Sequence, residues 1–312
     1  MYKILSKFLF QILLLIVIIR YFFKDIINHI KIVDIFSIKY LQVFLLLVFI
    51  NLVISLIFYW IISIISRDKL KILSITKIFI EGGIVNQLFY GLGLIYKSFK
   101  FKNMSKNLLT EYGFSQLLFS LISIFSYLIL ATFFGFLNFK SLSTYYFIGL
   151  IVFIIVLATF LINYKHKIIR SIKRIIKINI KNDKYIEDLR IIKKSVLINK
   201  QNIFVVFLCF TAIAFITCYT YHILLISSNI NTSFFHSSFV WISSLLFTTV
   251  STINFMGFFE LVLGFSGEMI NLNFSELVAS GLILRGINIS SQIILLIGIY
   301  IISQFNNSAS FK

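Results

Sequence analysis

The chain contains no proline, only two cysteines, four histidines and 11 acidic residues. Each shortage removes a class of explanation. The missing proline goes with an abundance of Ile, Phe, Lys, Asn and Tyr, the mark of an AT-rich coding bias, so a single aromatic or lysine carries little weight by itself. Cys209 and Cys218 lie nine positions apart in one apolar run. On a helix that is roughly 13 Å, too far to bridge, so the pair says nothing about redox compartment. His29, His166, His222 and His236 are scattered without metal-ligand spacing. Neither paired carboxylates nor a nucleophile motif stands out, so the chain reads as no enzyme and as needing no cofactor or metal. There is also no stretch long and polar enough to form a soluble domain.

What the chain has is apolar length. Hydrophobic residues make up 59% of its 312 positions, in long runs that recur from end to end. At about 20 residues per crossing this is an all-α, polytopic membrane protein. About six full spans are expected, at Phe8 to Phe23, Leu41 to Ile65, Gly113 to Phe136, Tyr145 to Ile162, Ile203 to Ile226 and Leu277 to Ser303. The segments 78–96 and 254–270 read as re-entrant or broken helices, with eight spans the alternative. The start resembles a signal peptide, but no small-residue cleavage site follows Ile19, and it is read as a retained first span.

A net charge of +18 would suggest nucleic acid in a soluble chain, but these charges sit beside the apolar runs. Twelve of the 29 basic residues fall between Tyr164 and Gln201, which makes that segment the cytoplasmic link between two halves, 1–163 and 202–312, of a single integral membrane domain. Within it Ile168, Ile169, Ile172, Ile175 and Ile176 oppose Arg170, Lys173, Arg174, Lys177 and Lys181. That is either a basic amphipathic helix on an anionic leaflet or a set of charges that only fixes topology. Lys69 and Lys102 also read as cytoplasmic, and Lys140 and Ser227 to Ser238 as external.

Two stretches combine apolar character with helix-weakening residues. The first is Glu81-Gly82-Gly83-Ile84-Val85-Asn86-Gln87-Leu88-Phe89-Tyr90-Gly91-Leu92-Gly93-Leu94-Ile95-Tyr96-Lys97. Its basic flanks favour a re-entrant hairpin or broken helix, and such backbone at membrane depth must be covered by protein or line a cavity. The plainer alternative is a glycine-rich helix packed tightly on its neighbours. In the second, Gly257, Glu260, Gly264, Gly267 and Glu268 share one helical face, and the last span gathers Gly281, Arg285, Asn288 and Gln292 in a stripe. Charges at that depth face the bundle interior and pair, which points to Glu260 or Glu268 with Arg285. Such a pair either serves function or simply holds two helices in register. The late position of a glycine-rich stretch in each half also suggests an internal repeat.

In these motifs the chain resembles the flippase-like transmembrane proteins related to the membrane region of bacterial lysylphosphatidylglycerol synthases. The residues that carry the resemblance are Asn86, Gly91, Gly93 and Lys97, then Glu111 opening the next span, then Gly257 and Glu260, then Arg285, with Lys97 standing where the family has arginine. The resemblance implies a helical domain of the bacterial cytoplasmic membrane that moves or handles an anionic lipid or a lipid-linked sugar during cell-envelope biogenesis, near polysaccharide or lipid-modification systems. Substrate contacts are expected from Asn86, Gln87, Gly91, Gly93, Lys97, Glu111, Gly257, Glu260 and Arg285. The alternatives are a non-transporting scaffold of an envelope glycan-assembly complex and a membrane glycosyltransferase using Asp25 or Asp34. The second would want a larger external loop than any here.

Overall fold

A computed structural model of the chain describes residues 37–66, 68, 70–89, 92–104, 108–138, 199–250 and 258–309. The expected spans at Phe8 to Phe23 and Tyr145 to Ile162, the basic segment up to residue 198, and Gly91 and Gly257 lie outside these residues. The described residues form eight helices: α1 Ile38–Ile65, α2 Ile72–Leu88, α3 Leu92–Met104, α4 Leu108–Asn138, α5 Lys200–Ser227, α6 Phe234–Val250, α7 Phe258–Glu268 and α8 Phe274–Ala309. Among them α1, α4, α5 and α8 are long and apolar enough to cross a membrane. A 28-residue helix such as α1 spans about 42 Å at the usual rise, more than the ~30 Å of a hydrocarbon core, so its ends reach the head groups.

The long helices are apolar all round because both of their faces meet apolar surroundings. On α1, Tyr40, Val43, Leu47, Ile50, Ile57 and Ile61 are buried in the bundle, while Leu41, Leu45, Phe49 and Leu52 form an exposed stripe at helical spacing that faces lipid. With no water available, the backbone must bond to itself, and uninterrupted helix does this without help from side chains.

The eight helices are two copies of one four-helix unit, long, short, short, long. Starts of α1 and α5 (38 and 200) and of α2 and α6 (72 and 234) are each 162 residues apart. Starts of α3 and α7 (92 and 258) and of α4 and α8 (108 and 274) are each 166 apart, the extra four residues falling in the link before α7. Packing repeats with the chain. Each helix pair in contact has its counterpart among the others: α1 on α2 and α5 on α6, α3 on α4 and α7 on α8, α2 on α8 and α6 on α4. Phe58 lies on Phe79 and Tyr221 on Trp241, both with ring centroids 4.8 Å apart, and Trp241 is the 162-residue counterpart of Phe79. A hydroxyl contact between Ser126 and Thr211, 2.9 Å, joins α4 to α5. Its counterpart joins α8 to α1, where Gln292 Nε2 donates to Asn51 Oδ1 over 2.9 Å.

The two units run in opposite directions. The Tyr40 hydroxyl, at the start of α1, meets Ser228 Oγ, just past the end of α5, at 3.0 Å, so the central helices α1 and α5 are antiparallel. The pseudo-two-fold axis therefore lies across the spanning helices, in the plane of the membrane, which is an inverted-topology repeat.

This arrangement fixes the faces. The C-terminal end of α1 and the N-terminal end of α5 share one face, which also carries exposed Lys71, Lys100 and Lys102. Both ends of the α2–α3 pair return to that basic face: the Tyr59 hydroxyl donates to the Leu70 carbonyl, and Phe101 stacks on Tyr112, which packs on Phe58. Helices α2 and α3 thus pack as a hairpin whose outer ends lie on the same side. The α6–α7 pair enters from the opposite face, where Asn138 Nδ2 donates to the Phe235 carbonyl and Ser237 Oγ bonds His222 Nδ1. At that face Asn229 (φ 59°) and Asn271 (φ 61°) take the left-handed conformation that ends α5 and α7, a place often given to glycine.

Candidate functional site: a buried lysine and a buried ion pair

The first hairpin is closed at a crossing without side chains. A Cβ on Gly93 would meet the Gly82 carbonyl oxygen and sit 2.5 Å from Asn86 Cβ. Gly82 in turn lies under the stem of Lys97, whose Cγ would be 2.5 Å from an added Cβ. The glycines therefore let α2 and α3 touch backbone to backbone and lay the lysine flat along the crossing. Lys97 is 8% exposed. Its Nζ stands 4.0 Å above the centre of the Phe79 ring, and Phe79 packs on Phe58 and Phe119. Among the described residues no carboxylate lies within ion-pair distance of it. The one acid of the hairpin, Glu81, accepts from the Tyr96 hydroxyl at 2.6 Å and has Lys77 at 4.0 Å. A cation–π contact offsets only part of the cost of burying an ammonium group.

The second charged centre joins α7 to α8. Glu260 is 1% exposed, and Arg285 Nη2 donates to its Oε2 over 2.9 Å while lying 2.7 Å from Oε1. Gly281 makes room for this acid, since a Cβ there would be 3.2 Å from Glu260 Cγ. Gly264 and Gly267 admit Phe274 and Leu277 of α8 in the same way. Of the two acids that the helical face offers, only Glu260 turns inward. Glu268, the last residue of α7, is exposed and takes no part in the pair, although Ser266 and Gly267 beside it are buried.

Between the two centres runs the rest of the α8 stripe. Asn51 Nδ2 of α1 donates to Asn288 Oδ1 (2.6 Å) and Ser291 Oγ (3.0 Å), and the Gln292 amide packs on Gly83 of the first hairpin, 3.1 Å from where a Cβ would be. The two hairpins meet α8 at different levels: α7 at Gly281 and Arg285, α2 at Gln292. Asn51 is the residue that sequence reasoning missed, although a lone asparagine in a 25-residue apolar run is a signal for an interhelical bond.

The remaining expected site residues spread around this track. Asn86 supports the glycine crossing, the Gln87 side-chain oxygen Oε1 is buried without a hydrogen bond to any described residue, and Glu111 is buried in the first turn of α4, where Ser115 Oγ donates to its backbone carbonyl. Gly93 and Lys97 meet in the hairpin, whereas Glu260 and Arg285 belong to the other unit. The repeat does not set one charged residue on another: Arg285 is the 166-residue counterpart of Phe119, the ring packed on Phe79 beneath Lys97, and Lys97 answers to Leu263. No family model, curated protein or solved structure matches the chain.

Proposed function

We propose that this protein moves an anionic lipid, or a lipid-linked sugar, between the leaflets of a bacterial cytoplasmic membrane during envelope biogenesis, as a non-enzymatic transporter. One observation carries the reading: Lys97, buried at a glycine crossing in a re-entrant hairpin, has no carboxylate partner among the described residues. An unpaired charge at membrane depth costs a few kcal/mol and is retained where it serves a ligand of opposite sign. A phosphate oxygen suits the ammonium group. The polar track of Asn51, Asn288, Ser291 and Gln292 continues from the hairpin to Arg285 and offers donors and acceptors to the rest of a head group. Inverted repeats with broken helices at their interface are also the plan on which many secondary transporters are built.

The test is transbilayer movement of fluorescent phosphatidylglycerol and of fluorescent phosphatidylcholine in vesicles carrying the purified protein. Faster movement of the anionic lipid alone is expected. Movement no faster than in protein-free vesicles, for anionic lipids and lipid-linked sugars alike and under several ion gradients, would replace transport by the scaffold reading.

A further inference from the structure

The two buried centres differ in one respect. Lys97 has no acid beside it among the described residues, whereas Arg285, in the other unit, is capped by Glu260. Lys97 sits in the hairpin that opens to the basic face, and Glu260 in the one that opens to the opposite face, where it reaches Arg285 of the long helix α8. The cap is incomplete. Only Nη2 of the guanidinium is engaged, the side chain keeps 19% of its exposure, and Nε and Nη1 have no bond to any described residue. A guanidinium carries five N–H donors in a fork suited to phosphate as well as to carboxylate.

We infer that Arg285 is a second anion site, used at the opposite leaflet from Lys97, and that Glu260 is its internal competitor, holding the place that the phosphate of an anionic lipid takes in turn. This deepens the function proposed above. The carboxylate makes release possible: a phosphate that reached a bare, desolvated arginine would stay, while one that must displace Glu260 leaves when the acid returns. The same acid keeps Arg285 from being a second uncompensated charge while the lipid is at Lys97. Two buried cations, one open and one capped, thus give the lipid a place at each leaflet without a deep trap between them.

The experiment counts bound lipids by native mass spectrometry of the full chain in detergent with short-chain phosphatidylglycerol. At a concentration where the unaltered protein binds one, Glu260→Gln should bind two. Combining Glu260→Gln with Arg285→Gln should return the count to one, and Lys97→Gln should remove the first lipid alone. If Glu260→Gln does not yield folded protein, Glu260→Asp, which draws the carboxylate back without deleting it, should raise occupancy of the second position in the same direction. A folded variant that gains no lipid overturns the inference. So does a gain that survives Arg285→Gln or occurs equally with phosphatidylcholine. Loss of transport in vesicles with the gain of one intact would remove the transport reading and leave the second site standing.

Discussion

Alanine at the two glycines of the hairpin crossing should have opposite consequences. At position 93 the new methyl meets backbone, the Gly82 carbonyl, as well as Asn86 Cβ at 2.5 Å. Ordinary carbon contacts lie at about 3.5–4 Å, so α2 and α3 must part by roughly 1 Å, a strain that typically costs 1–3 kcal/mol, about 2 here. Better helix propensity returns about 0.5–1 kcal/mol. The net loss for Gly93→Ala is about 1–1.5 kcal/mol, roughly a five- to thirteenfold fall in the folded-to-unfolded ratio. At position 82 the atoms nearest the methyl belong to the Lys97 side chain, which can swing about its own bonds, so the fold should keep about its present stability once better helix propensity is counted, while the amine is pushed off Phe79. Stability by denaturant titration in mixed micelles and phosphatidylglycerol binding should therefore separate: Gly93→Ala weakens the fold, and Gly82→Ala spares the fold but lowers lipid affinity. Equal stability of Gly93→Ala and the unaltered protein would refute the backbone-contact reasoning. Unchanged lipid affinity in Gly82→Ala would refute the placement of Lys97.

Removing Glu260 or Arg285 alone should destabilise the protein by about 3 kcal/mol, since either change leaves a charge without its partner in a low-dielectric interior; replacing both should cost clearly less than the sum, as a double-mutant cycle in the same titration would show. Asn51→Leu should cost about 1–3 kcal/mol by removing the Asn51 bonds of Asn288 Oδ1 and Gln292 Nε2; in denaturant titration a smaller loss in Asn51→Gln than in Asn51→Leu would assign it to hydrogen bonding, and equal losses would not. Single cysteines at 102 and 231, in a background without Cys209 and Cys218, should label from opposite sides of the membrane, position 102 from the basic, cytoplasmic side; labelling of both from one side contradicts the inverted repeat.

The helical membrane class was readable from composition and run length, because a bilayer leaves the backbone few other choices. Four of the expected spans coincide with α1, α4, α5 and α8 to within a few residues. The α2–α3 hairpin was readable as well, since basic residues at both ends of a glycine-interrupted segment argue against a crossing. Which face of α1 turns inward was not readable: Leu45 toward lipid and Leu47 toward the core have the same side chain, and hydropathy carries no inside–outside signal where lipid replaces water. The repeat showed only faintly in sequence because the units share geometry rather than side chains. Phe79 answers to Trp241, and Phe119 to Arg285. Periodicity alone could not choose between Glu260 and Glu268, which fall on the same face; burial of the one and exposure of the other decide. Lys97 drew notice by motif, yet that no carboxylate among the described residues reaches it is a three-dimensional fact.

The most direct measurement is the rate of anionic-lipid movement across vesicles bearing Lys97→Gln, set beside the unaltered protein and Lys97→Arg. A phosphate-binding cation at this place predicts movement near the protein-free rate for Lys97→Gln, with folding intact by gel filtration, and substantial recovery in Lys97→Arg, which keeps the charge. Undiminished movement in folded Lys97→Gln would contradict it.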